Sequence, residues 1–234
     1  MFATRREAGQ RLAEVLKNLT GEEGILRRRG YGGLPSVALA KEGIVLAVPR
    51  GGVPVGYEVA KSLGFPLDIL PVRKVAIPWN PEAGFAAVAP GDILILNEDL
   101  TPSLGLTDRQ IKTLADETLA EVGRRVEVYR EGRPAPDLRG KMVILVDDGL
   151  ASGITMLAGV SMVKKESPEK VVVASPVASG TAVAKIKPEV DRLVVLYTHP
   201  PGLSFAVASF YDEWYDLTDE EVKDFLKQAA ESLD

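Results

Sequence analysis

The run Val143-Ile144-Leu145-Val146-Asp147-Asp148-Gly149-Leu150-Ala151-Ser152-Gly153-Ile154-Thr155 decides how this chain folds. Its first four residues are β-branched or aliphatic, the composition of a strand buried on both faces. The strand ends in two adjacent carboxylates and a loop of small residues. Met156, Leu157, Val160 and Val163 then mark a helix. In an open α/β sheet the carboxyl end of a buried parallel strand opens into the ligand crevice. The start of the helix that follows offers unpaired backbone N–H groups and a positive dipole end to an anion. Hydroxyl acceptors therefore stand beside a phosphate cradle, a pairing that suits a sugar phosphate. Alone, an Asp-Asp pair after a strand commonly serves a solvated loop or a helix cap. A phosphoacceptor pocket also clusters acids, but it gathers them from two strand ends, the first near the N-terminus. This pair lies past mid-chain.

Working outward, the N-terminal stretch 5–19 has helical spacing, with Ala8, Leu12, Val15, Leu16 and Leu19 on one face. A Gly- and Arg-rich connector over 24–33 contains Arg27-Arg28-Arg29, read as a solvated surface. The pattern then alternates: strand 44–48, helix 53–63, strand 67–72, a loop reaching Gly91, and strand 93–96. Thr107-Asp108-Arg109-Gln110 forms a capping box that opens a long helix to about 129. Beyond Pro134 and Pro136 come strand 142–146 with its helix, strand 171–175, helix 181–186 and strand 193–197. Strands alternating with helices predict an α/β fold, a doubly wound and mostly parallel sheet with a Rossmann-like core. The tail from His199 is aromatic (Phe205, Phe210, Tyr211, Trp214, Tyr215) and closes in a helix capped by Thr218-Asp219-Glu220-Glu221.

Composition narrows the function classes. The chain has 234 residues, 46% hydrophobic and 26% charged, enough for one sizeable core. No stretch is apolar enough for a membrane span, and the N-terminal residues lack a signal-peptide pattern. With no cysteine and the single His199, a disulfide scaffold and a multi-histidine metal site are excluded, and no protein-held metal is expected. The cytoplasm is the expected compartment. A net charge of −5 argues against a general nucleic-acid surface. An acidic protein that takes a polyanionic substrate must place its site cations deliberately.

Two further motifs supply such cations. Val48-Pro49-Arg50-Gly51-Gly52-Val53-Pro54 follows the first core strand. Its glycines permit a tight turn and close backbone approach to an anion, and Arg50 adds planar donors for phosphate oxygens. Pro71-Val72-Arg73-Lys74 ends the next predicted strand, and a salt-bridged strand terminus is its plainest alternative meaning. After it, the segment 75–91 holds no Lys or Arg and carries Glu82 as its one charge.

Taken together these elements resemble the type I phosphoribosyltransferases, whose phosphoribosyl pyrophosphate (PRPP) motif runs strand, acid pair, then a Ser/Thr-Gly-x-Thr loop. The resemblance to a bacterial and archaeal group with Pro-Arg-Gly-Gly, Val-Arg-Lys, Pro-Trp-Asn-Pro-Glu and Val-Asp-Asp-Gly-Leu-Ala-Ser-Gly elements spans most of the chain. It implies that Asp147 and Asp148 bind the ribose hydroxyls, and that Ala151, Ser152, Gly153, Ile154 and Thr155 bind the 5′-phosphate. It also implies that Arg50, Gly51 and Gly52, with Lys74 and then Arg73, bind pyrophosphate. Asp147, Asp148, Arg50 and Lys74 would form the catalytic set. Trp79, Glu82 and Phe205 are acceptor-pocket candidates, and Mg²⁺ would arrive with PRPP. The implied architecture is a single domain, a core over about 43–198 with a small hood from 1–42 and 199–234. A homodimer acting on a nitrogenous acceptor, without nucleic acid or membrane, completes the expectation. Gly149 departs from the family, which has an aliphatic residue there, and predicts a looser turn. Ala151 stands where the 6-oxopurine enzymes carry Asp. Since some family members use this site for regulation, a catalytically weak or inactive PRPP- or nucleotide-sensing protein is the alternative.

Overall fold

The computed structural model describes residues 1–22, 42–201 and 204–233. The Arg27-Arg28-Arg29 run lies outside the described residues. Five parallel strands form the central sheet in the order β2-β1-β6-β7-β8. They are β1 (Gly43–Ala47), β2 (Leu67–Ile69), β6 (Met142–Val146), β7 (Lys170–Ser179) and β8 (Arg192–His199). β1 and β6 are buried at every position, as their unbroken aliphatic runs require. The chain winds from β1 to β2 on one side, then from β6 through β8 on the other. Its direction therefore reverses between β1 and β6, the switch point where ligands bind in such sheets.

Helices cover both faces. On one, α1 (Arg5–Glu22), α2 (Gly52–Leu63) and α6 (Asp219–Glu231) share a core with Val45, Ala47, Ile144 and Val146 of the central strands. On the other, α4 (Ile154–Lys165) and α5 (Gly180–Ile186) pack on Ile44, Leu46, Val143 and Leu145. Odd and even positions of each strand thus feed opposite cores, as the pleat dictates. α1 seats Ala8, Leu12 and Leu16 as expected. Val15, however, is 37% exposed and Ala13 is buried in its stead.

The stretch 73–91, expected to be a loop, is a hairpin. β3 (Arg73–Ile77) and β4 (Asn80–Ala89) pair antiparallel and are joined by β5 (Ile93–Leu96) in a separate three-stranded sheet. Strand 93–96 therefore belongs to this antiparallel sheet rather than to the parallel one, and β2 ends at Ile69. The segment reads as a loop because Pro78, Pro81 and Gly84 punctuate it and alanines replace β-branched residues. Burial overrides that weak propensity. Ala87 and Ala89 pack in the core of α4, while Phe85, Ala86 and Val88 pack against α3 (Asp108–Arg130). Both capping boxes form: Thr107 with Gln110 opens α3, and Thr218 with Glu221 opens α6. β7 runs past its expected end at 175. Beyond Ala174 it pairs with β8 and touches Leu150, so Pro176 breaks no ladder on the β6 side.

Candidate active site

The carboxyl ends of β1 and β6 bring the two principal motifs into contact. A methyl group on Gly51 would lie 2.1 Å from Asp148 Oδ2, and one on Gly52 would lie 2.9 Å from the Val146 carbonyl oxygen. The loop after β1 therefore lies directly against the acid pair. Its Pro49–Arg50 peptide bond is cis. Gly51 has φ −60°, an ordinary helical value, so the glycine is required by space and not by backbone conformation. α2 begins at this loop with no side chain capping it; instead Gly52 N–H donates to the Val48 carbonyl at 3.0 Å, Val53 N–H donates to the Arg50 carbonyl at 3.1 Å, and Pro54 has no N–H to offer.

Asp147 and Asp148 are held differently. The backbone N–H of Asp148 donates to Asp147 Oδ1 at 2.9 Å. Asp148 is buried, and its Oδ2 accepts from Arg5 Nε at 2.8 Å. Arg5 also donates through NH1 to the Tyr215 carbonyl and lies 3.8 Å from the centre of the Trp214 ring. Tyr211 donates its hydroxyl to the Asp148 carbonyl at 2.6 Å. Burial pushes Asp147 well above the usual carboxylate range, and the neighbouring Asp148 adds to this. Burial raises Asp148 as well, while Arg5 pulls it back.

The loop after the acids is pinned rather than slack. Leu150 donates its N–H to the Val177 carbonyl and accepts from Ser179 N–H, both at 2.9 Å. The Ser179 hydroxyl donates to the Ala151 carbonyl. Gly149, expected to loosen the turn, instead makes room: a Cβ there would meet the Val207 methyl carbons at 2.4 and 2.5 Å. Gly149→Ala is therefore expected to cost about 1–3 kcal/mol of stability by overpacking, read as a lower urea midpoint at constant slope. Gly153 caps α4 at φ 79°, a left-handed conformation that favours glycine. Ile154 buries its side chain in the α4 core, so only its N–H faces the loop, where Ser152 Oγ accepts it at 3.4 Å.

A cleft of about 280 Å³ opens over this loop, lined by Asp147, the segment 149–156, Lys74 and Glu82. Lys74 Nζ donates to the Glu82 carbonyl across the hairpin. Strand alternation sends its neighbour Arg73 the other way, 3.9 Å from Glu121 of α3. Arg50 does not line the cleft either; its guanidinium lies 3.7 Å from Asp219 at the start of α6. Trp79 is 63% exposed at the hairpin turn, and Phe205 packs with His199 and Phe210 in an aromatic cluster past β8. Neither borders the cleft. Among the described residues no group of three or more His, Asp or Glu side chains could by itself hold a metal. Also among them, no helix is long and apolar enough to cross a membrane.

Arg50 and Arg73 join a charged cluster with Arg124, Arg125, Glu121 and Asp219, against the buried Tyr129. Tyr129 donates to Asp219; burial, then that contact, pushes its phenol up to about 12. Arg124 and then Arg125 hold Glu121 down at about 2, against an ordinary 4.5. A depressed carboxylate stabilises the fold above its unfolded value and loses that contribution as pH falls through the folded one. Glu121→Gln is thus expected to lower the melting temperature at pH 7. The gap from the parent should close between about pH 4.5 and 2. Partial exposure limits the effect to about 1 kcal/mol.

The sequence gives no site role to Arg5, to Val207 or to Tyr211, which it places only in the predicted N-terminal helix and the aromatic tail. One signal was available. An Arg at the first turn of a helix opposes the dipole there and needs a partner elsewhere.

A crevice at the switch point, with an acid pair, a helix-start loop and an Arg-Gly-Gly turn around it, places this chain among the open α/β proteins whose ligands bind beyond the carboxyl ends of the strands. The family model for the phosphoribosyl transferase domain matches residues 37–194, and the chain belongs to this family, as a type I member. It is 38% identical to the TT1426 protein of Thermus thermophilus, whose crystal structure superposes with a TM-score of 0.70 over 97% of this chain and 98% of that one. It is 36% identical over 229 residues to a Mycobacterium tuberculosis protein provisionally named a phosphoribosyl transferase. That match covers 98% of this chain and 47% of the relative, so the chain spans about half the length of the curated relatives it matches. The AQ2163 protein of Aquifex aeolicus shares the fold, with a TM-score of 0.51 at 14% identity, over 84% of this chain and 75% of that one.

Proposed function

We propose that this protein transfers the 5-phosphoribosyl group from magnesium–PRPP to a nitrogen acceptor and releases pyrophosphate. The observation that carries this reading is the contact of the Gly51-Gly52 turn with Asp147 and Asp148 at the β1/β6 switch point. The acceptor nitrogen attacks the anomeric carbon as its bond to the pyrophosphate oxygen breaks, and the ribose ring takes on oxocarbenium character. The chain contributes orientation and charge placement rather than a covalent intermediate. Asp147 and Asp148 accept from the ribose hydroxyls. The backbone of 151–155, with the hydroxyls of Ser152 and Thr155, holds the 5′-phosphate at the start of α4.

Pyrophosphate lies along the Arg50-Gly51-Gly52 turn, with Lys74 facing the same cleft. Arg50 reaches it by leaving Asp219, and Arg73 acts from behind through the charged cluster. Mg²⁺ comes as part of the substrate, chelated by pyrophosphate oxygens and water, and offsets the charge of the leaving group. Glu82, which borders the cleft, is the proton acceptor in this reading. The paired ends of the chain act as the hood: Phe2 N–H donates to the Phe210 carbonyl and Asp212 N–H to the Phe2 carbonyl, above the acids. A cytoplasmic homodimer, with Trp79 as a contact, belongs to the same proposal.

The lack of any Lys or Arg in 75–91 favours a second reading, a PRPP- or nucleotide-sensing protein. Incubation with magnesium–PRPP and a panel of purine, pyrimidine and pyridine bases separates the two. Transfer predicts pyrophosphate release and a ribonucleotide by mass spectrometry with at least one base. Tight binding without product from any base supports the sensor, and no binding of PRPP removes both.

A further inference from the structure

We propose that Arg5 is a positioning residue of the sugar-phosphate site: from the first turn of α1 it fixes the orientation and the charge of Asp148, so that this carboxylate meets the ribose diol only as an acceptor. The inference rests on the sugar-phosphate reading above and goes beyond it, since nothing in the nucleotide-binding motifs themselves calls for a residue so near the N-terminus. Three restraints hold the guanidinium in place. Nε donates to Asp148 Oδ2, NH1 donates to the Tyr215 carbonyl, and the Trp214 ring lies 3.8 Å from the guanidinium carbon. The contact with the carboxylate is single-pronged: Nε alone donates to Asp148, and NH1 is turned to Tyr215. Arg5 thereby takes one oxygen of Asp148, and the proposal assigns the other to the ribose diol.

The need for such a cation is electrostatic. Asp147 and Asp148 are adjacent and desolvated, and two such carboxylates resist being charged together unless a positive group faces them. The other elements packed against Asp148 do not supply that group. Asp147, just after β6, is acidic. The tail offers the Tyr211 hydroxyl to the Asp148 carbonyl and gives the Tyr215 carbonyl to Arg5. The loop after β1 presents Gly51, while Arg50 is turned to Asp219 and Lys74 to the Glu82 carbonyl. Among the described residues Arg5 alone forms an ion pair with Asp148. A protonated Asp148 would turn one acceptor into a donor and lose a charge-assisted bond to the diol.

The test is calorimetric titration of the full chain with magnesium–PRPP between pH 6 and 9. The parent is compared with Arg5→Gln and Arg5→Lys, each first shown to be folded by circular dichroism. Arg5→Gln is expected to bind at least about tenfold more weakly at pH 6, with the gap closing by up to about tenfold per pH unit as Asp148 ionises. Arg5→Lys is expected to keep the parent's pH profile at somewhat lower affinity. If Arg5→Gln does not fold, Trp214→Leu replaces it. That variant removes the stack behind Arg5 without altering a charge, and a smaller loss of the same pH-dependent kind is expected. Parent affinity and profile in the variant overturn the role of Arg5. So does a pH-independent loss shared equally by Gln and Lys, which marks a merely structural residue. Failure of the parent itself to bind PRPP at any pH instead overturns the sugar-phosphate reading, and needs no variant to be seen.

Discussion

Asp148→Asn is expected to lower phosphoribosyl transfer by at least about 10²–10³-fold, the usual loss when one preorganised electrostatic partner is removed. It should also weaken the fold. Arg5 and Asp148 are both buried, with side chains 7% and 12% exposed, and the substitution strands the guanidinium. Breaking a buried pair in this way typically costs about 3–5 kcal/mol. Asp147→Asn provides the contrast. Asp147 has no ion-pair partner among the described residues, and its main local bond, from the Asp148 N–H, can be accepted equally by an asparagine oxygen. Its acidity is suppressed by burial and by Asp148, so ionising it opposes folding. A raised folded value means that its contribution to stability declines as pH rises through that value. Asp147→Asn should therefore lose transfer while melting no lower than the parent at pH 7–8. Parallel melting curves and initial rates for the two variants check this, and equal destabilisation by both contradicts it.

Gly51→Ala is the second large effect. The added methyl would stand 2.1 Å from Asp148 Oδ2 and 2.8 Å from its Cγ. Since φ is −60°, alanine fits the backbone, and the whole penalty falls on the contact with the acid. Either the loop after β1 lifts or Asp148 swings off Arg5. Both separate the pyrophosphate turn from the ribose acids, and misplacement by about 1 Å can cost around 10²-fold in rate. The accompanying loss of stability is about 1–3 kcal/mol, as for overpacking elsewhere. Steady-state kinetics should show kcat/KM for PRPP collapsing while circular dichroism stays native. A variant with parental kcat/KM would show that the turn and the acids work independently.

Where a signal is contiguous, the sequence carries it well. Met142–Val146 is a strand because five apolar residues in a row can only be buried on both faces, and the acids at its end follow directly. The helices after Thr107 and Thr218 begin where their capping boxes say. The hairpin 73–89 is hidden because alanines and prolines carry little strand propensity; packing between α3 and α4 decides its conformation, and packing is not local. Gly149 is visible as an anomaly, but its reason, Val207, lies 58 positions further along the chain. Arg5 is farther still, separated from Asp148 by 143 positions. The motif names the groups that touch a sugar phosphate. The groups that hold those residues in place come from α1, β7 and the tail, and only the fold brings them together.

The most direct measurement is a crystal structure of the chain with magnesium–PRPP. The ribose diol is expected on Asp147 and Asp148, the 5′-phosphate over residues 151–155, and pyrophosphate along Arg50-Gly51-Gly52 toward Lys74. PRPP bound away from the β1/β6 switch point, or with its diol away from the two aspartates, would contradict this placement.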